Sequence, residues 1–223
     1  PWFVKKHGMV NKVSEIFRCL RQDIADRESE GKTWHGAFDE LRDSARTLWP
    51  HLPTVEQKRF HRHLKSWYET RRFRIAPQIQ AVMVSQQKAG RLTVSAARIK
   101  AANPVAGGRI EVIFRTRGRC EFWARTYGAI INCTGPGVRP DKSENPLITQ
   151  LVRTGGATPH PCGQGFMVDH VCRAVSVSGK PQPTLRIIGP LTRGCFMETG
   201  SVPAVSYQIF QIMPDILAEL HAD

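Results

Sequence analysis

The feature that most constrains this chain is a change of hydrophobic period near residue 75. Before it, apolar side chains recur every three or four positions: Val13, Ile16, Phe17, Leu20 and Ile24 in one segment ending near Gly31, then Trp34, Phe38, Leu41, Ala45 and Leu48 in a second stopped by Pro50. That spacing places each set on one face of a helix, and a helix with one apolar stripe must bury it against another element. A third helix is expected from Thr54, because Thr54 and Gln57 have the spacing of a capping box, in which hydroxyl and amide each satisfy an orphaned backbone donor. Residues 1–72 therefore read as an insertion-like helical bundle.

Residues 73–223 read as a mixed, strand-rich unit. Pro77 suits the first turn of a helix running through Ile79, Val82 and Met83 to Gly90, and Leu92–Ala96 reads as a short strand. The turn Asn103–Gly108 separates strand Arg98–Ala102 from strand Ile110–Arg117, with a further strand at Cys120–Arg125. Ala129-Ile130-Ile131-Asn132 is an apolar run of buried-strand type, ending at Cys133-Thr134-Gly135-Pro136-Gly137. A second such unit follows: Leu185–Ile188, the turn Gly189-Pro190-Leu191-Thr192-Arg193-Gly194, and then an amphipathic helix opened by Ser201-Val202-Pro203, which Pro214 is expected to kink or split. A strand, a glycine turn and a helix N-terminus together suit the negative end of a cofactor, since free amides and the helix dipole point there.

Composition narrows the class. With 41% apolar residues in 223, the chain can supply a real core, which argues against intrinsic disorder. No apolar stretch approaches the roughly 20 residues needed to span a bilayer, so no membrane partner is expected. Six cysteines spread along the chain read as reduced thiols in a cytoplasmic protein. The 32 Lys and Arg against 19 Asp and Glu give +13, which favours an anionic partner without naming one.

Four ordered motifs carry a resemblance: Arg71-Arg72-Phe73-Arg74-Ile75-Ala76-Pro77, Ile131–Gly137, Ile188–Gly194 and Glu198-Thr199-Gly200-Ser201-Val202-Pro203. Together, and with the helical segment before them, they resemble the C-terminal portion of bacterial FAD/NAD(P)-binding oxidoreductases. The resemblance implies an α/β fold: part of a three-layer, Rossmann-like FAD/NAD(P)-binding domain with an N-terminal helical segment. It implies FAD as cofactor, with NAD(P)H as electron donor and a small-molecule substrate. Thr134, Gly135 and Pro136 would lie near the dinucleotide, and Gly189, Pro190, Val202 and Pro203 near the ribityl chain and flavin ring. The family's N-terminal G-x-G-x-x-G fingerprint does not occur here, so the chain reads as a fragment whose partner is the missing N-terminal dinucleotide-binding segment.

Other chemistries compete. The basic run from Lys58 to Arg74, interleaved with Trp67, Tyr68 and Phe73, is the mark of a nucleic-acid-binding module without redox activity, although Phe60, Leu64, Trp67 and Tyr68 fall at helical spacing and suit a core. His160-x-Cys162 and His170-x-Cys172 offer four soft metal ligands, but not at the usual C-x₂₋₄-C spacing, and no metal is assigned. Cys133 and Cys195 have no sequence-evident His partner, and Glu198 reads equally as a ligand contact or a helix-start carboxylate. No catalytic residue is assigned.

Overall fold

The structure, a computed structural model, describes residues 1–135 and 137–221. The chain divides into two compact units, one formed by Pro1–Arg74 with Gly137–Asp223, the other by Ile75–Pro136. The helical segment thus shares its unit with the region from Gly137 onward.

The helical segment comprises α1 (Trp2–His7), α2 (Val13–Ser29), α3 (His35–Leu48), α4 (Thr54–His63) and α5 (Lys65–Arg72). The two periodic stripes form its core: Val13, Ile16, Phe17 and Leu20 of α2 pack with Phe38, Leu41 and Leu48 of α3, closed by Phe3, Phe60 and Tyr68. A buried carboxylate fastens α1 to α2, with Asp23 accepting from Lys6 Nζ at 2.5 Å and meeting His7 Nε2 at 2.9 Å. The capping box at Thr54 is not formed. Pro53 occupies the cap position of α4, and Gln57 is buried, its amide donating to the Trp49 carbonyl at 3.0 Å. That carbonyl also accepts the Leu52 N–H at 3.1 Å, so the Gln57 amide is its second donor. The neighbouring Glu56 accepts the Val13 N–H at 2.9 Å, satisfying an orphan donor at the start of α2. The expected third helix is two: Leu64, at φ −119° and ψ −21°, separates α4 from α5.

The second unit holds α6 (Pro77–Lys88) and an antiparallel meander of β1 (Ala97–Val105), β2 (Arg109–Thr116) and β3 (Phe122–Tyr127). Pro77 stands in the first turn of α6, as its fixed φ favours. Leu92–Ala96 is irregular rather than a strand, and β1 continues through Asn103 and Pro104, paired with Glu111 and Ile110 of β2. Val112 is the one buried apolar side chain among this unit's described residues, and α6 buries none. Ala129–Asn132 forms no strand, and Ile131 is 84% exposed. An isolated strand leaves its backbone groups without a ladder, and no described strand pairs with this run.

The first unit resumes with α7 (Pro146–Arg153), the short antiparallel pair β4 (Arg173–Val175) and β5 (Pro181–Arg186), α8 (Arg193–Phe196) and α9 (Val202–Leu220). Asn145 caps α7 by accepting from the amides of Leu147 and Ile148. Helix α9 runs on through Pro214 without being split. The class is mixed α/β. Both sheets are antiparallel, of three and two strands, whereas a Rossmann-like three-layer sandwich needs parallel strands joined through crossover helices. The described residues do not build that sandwich.

Candidate functional site

Four of the seven cofactor-site residues expected from sequence lie along one seam of the first unit. Gly189 has φ +75°, a left-handed conformation that a side chain would strain, and its N–H donates to Gln208 Oε1 of α9 at 2.8 Å. The Gln208 amide donates in turn to Thr192 Oγ1 at 2.9 Å, and that hydroxyl donates back to the Gly189 carbonyl at 2.8 Å. This closed ring of hydrogen bonds fixes the Gly189–Pro190 turn against α9. At the start of the helix Ser201 accepts the Ala204 N–H, while Val202 and Pro203 face solvent. Thr134 and Gly135 belong to the other unit. There the Thr134 N–H and hydroxyl both donate to Asn132 Oδ1, at 3.1 and 2.7 Å, and a side chain at Gly135 would meet no atom within 4 Å. Pro136 lies outside the described residues.

A second feature of the first unit was not legible in the sequence. Met197 sits at φ 59° and ψ −61°, and the Glu198 N–H donates across it to the Phe196 carbonyl at 2.7 Å. This is the strained form of the γ-turn, rare for a residue with a side chain. The turn carries the Glu198 carboxylate to α5, where Oε1 accepts from the Tyr68 hydroxyl at 3.2 Å and Oε2 from Arg72 Nη2 at 3.3 Å. Burial, and then the Glu198 charge, hold the Tyr68 hydroxyl far above its ordinary range, so it is a permanent proton donor to that carboxylate.

Beside this pair lies a cavity of about 90 Å³ between α5 and the segment that leads into α9. Thr199 lines it at 1% exposure, and among the described residues its hydroxyl has no hydrogen-bond partner. Both ring nitrogens of His61 are likewise buried and unpartnered among the described residues. Desolvation, with smaller help from the charges of Lys65, His160 and Arg193, lowers its pKa to about 4, so the ring is neutral at physiological pH. The Arg193 guanidinium lies across Gly200, where a Cβ would stand 2.8 Å from Nη2.

The competing sites do not assemble. His160 is buried, accepting the Cys162 N–H at Nδ1, while Cys162 Sγ contacts Gln57 Oε1 at 3.4 Å. His170 is exposed and Cys172 buried, and no group of three or more His, Cys, Asp or Glu among the described residues is placed to hold a metal ion. All six cysteines are free, Cys133 is exposed, and burial raises the Cys195 thiol, which keeps it protonated at neutral pH. In the basic run Phe60 and Tyr68 are core residues, Arg71 stacks over Trp67 at 4.1 Å, and Arg72 and Arg74 are paired with Glu198 and Asp39. No helix among the described residues is long and apolar enough to cross a membrane.

Comparison with protein-family models, with characterised proteins and with solved structures returned no match.

Proposed function

We propose that this chain is the flavin-facing part of an FAD-dependent oxidoreductase that moves electrons between NAD(P)H and a small organic acceptor, working with a dinucleotide-binding segment. The observation that carries this reading is the seam at Gly189: a left-handed glycine turn locked by Gln208 to α9, whose first turn, at Val202 and Pro203, faces solvent. Such a turn, with a helix dipole behind it, suits the polar edge of a flavin. The bound cofactor would supply hydride and electron transfer, and the residues here would hold and orient it. Thr134, Gly135 and Pro136 would face its dinucleotide portion.

The finer fold belongs to the same proposal. In it, the dinucleotide-binding segment covers the apolar surface that α6 and the run Ala129–Asn132 leave exposed. The bare apolar surface of α6 and of Ile130 and Ile131 supports this, since a unit of this length that buries a single apolar side chain lacks a core of its own.

Flavin absorbance after reconstitution tests the reading. The chain alone should retain little or no FAD. Supplied with a dinucleotide-binding segment carrying G-x-G-x-x-G, it should turn yellow and be bleached by NADH or NADPH, and Gly189→Val should lower flavin retention by forcing a branched side chain into a left-handed backbone. A reconstituted protein that stays colourless would overturn the flavin assignment. Steeply salt-dependent binding of DNA or RNA by that colourless protein would replace it with the nucleic-acid module.

A further inference from the structure

We propose that the cavity between α5 and the start of α9 is a binding site for the carboxylate of a small organic acid, held by Arg193 and Thr199. The site shares the start of α9 with the flavin reading, but neither its lining nor its test involves a flavin, so the two fail separately.

The argument begins with unpaired groups. Buried polar atoms in folded proteins are nearly always hydrogen-bonded, and one without a partner needs an explanation such as a water or a ligand. Here Thr199 contributes a hydroxyl at 1% exposure, and His61 contributes two ring nitrogens, all without a partner among the described residues. Both residues line the same cavity. At about 90 Å³ it has room for several water-sized groups, enough for a carboxylate and a short apolar stem.

Charge then selects the ligand. Five charged side chains line the cavity. Glu198 is matched by Arg72 at 3.3 Å, and Glu69 by Lys65 at 3.9 Å. Arg193 is left without a carboxylate partner among the described residues, so one positive charge is uncompensated. A singly charged carboxylate neutralises it, whereas the second charge of a phosphate dianion would be repelled by Glu198, which lines the same cavity. A guanidinium presents two parallel N–H donors that match a carboxylate, and the dipole of the 19-residue α9 favours an anion at its start. Phe60, Phe73 and Met197 provide apolar wall for the rest of the acid.

The test is titration of the full chain with acetate, benzoate and inorganic phosphate at low ionic strength. Calorimetry would read stoichiometry, and histidine-labelled NMR would read the His61 ring. One carboxylate should bind per chain, acetate and benzoate should compete, and the His61 resonances should move on saturation. Arg193→Met should weaken binding at least about tenfold, as expected for loss of a charged hydrogen-bond pair. Thr199→Val should weaken it several-fold, and Arg62→Gln, an exposed cation outside the cavity, should leave it unchanged. Gly200→Ala keeps every charge but pushes the guanidinium aside, so it should also weaken binding; the displaced group is the end of a flexible side chain, and the fold should survive. If Arg193→Met unfolds, Gly200→Ala decides. The proposal is overturned if no carboxylate binds, if phosphate binds tighter than both acids, or if Gly200→Ala and Thr199→Val bind like the wild type.

Discussion

His61 shows how a single buried side chain ties the stability of this molecule to pH. Its ring is neutral in the fold because desolvation lowers its pKa from the ordinary 6.5 to about 4. Between those two values the unfolded chain holds a proton that the folded chain does not. Stability therefore rises with pH across this window, is fully present above about 6.5, and is lost as pH falls towards about 4. His160, whose pKa burial also lowers, acts in the same direction. The His61→Phe variant should lose less of its urea midpoint between pH 7 and pH 5 than the wild type does, with His160 keeping part of the slope. Identical pH dependence in the two proteins would mean that His61 is solvated in the fold. A bound carboxylate would work against this effect by favouring the charged ring.

At the scale of elements, the helical bundle and the C-terminal region are joined at a few defined points. The Trp49 indole N–H donates to the Gly194 carbonyl at 2.7 Å, and Gly194 is small of necessity, because a Cβ there would stand 2.3 Å from His160 Cγ. Trp49→Phe should fill most of the same volume but leave that carbonyl buried without a donor, at a cost of about 1–3 kcal/mol. Chemical denaturation reads this directly, and an unchanged midpoint would show that water replaces the indole. The stripes of α2 and α3 are readable from sequence because a helical period is local information, and so is Pro77 at the start of α6. The break at Leu64 is not readable, since neither Gly nor Pro marks it and both flanking stretches are good helix. The Tyr68–Glu198 and Arg72–Glu198 pairs join residues 130 and 126 apart, and no local pattern announces them. Glu198 can be singled out beside its glycine turn, but its partners and the unpaired hydroxyl of Thr199 appear only once the chain is folded.

At the scale of the whole molecule, apolar surface is unevenly distributed. The first unit has three buried clusters, whereas α6 and the run at Ala129–Asn132 leave Ile79 (54%), Val82 (57%) and Ile131 (84%) exposed. A buried-strand sequence in an exposed position conflicts with its own pattern, and such conflicts concentrate where a partner or ligand completes the structure. The two accounts of this surface make opposite forecasts for a polar substitution. Side chains that touch only solvent can be replaced at a cost within about 0.5 kcal/mol, so Val82→Asn and Ile131→Asn should leave the melting of the chain on its own almost unchanged. If a dinucleotide-binding segment covers these positions, each buried amide would then lack a partner, and reconstitution with that segment should lose both its affinity and its flavin colour. Unchanged melting together with unchanged reconstitution would place the interface elsewhere. A large loss of stability in the chain alone would mean that these residues are already buried by the fold, and the proposed segment would have nothing left to cover.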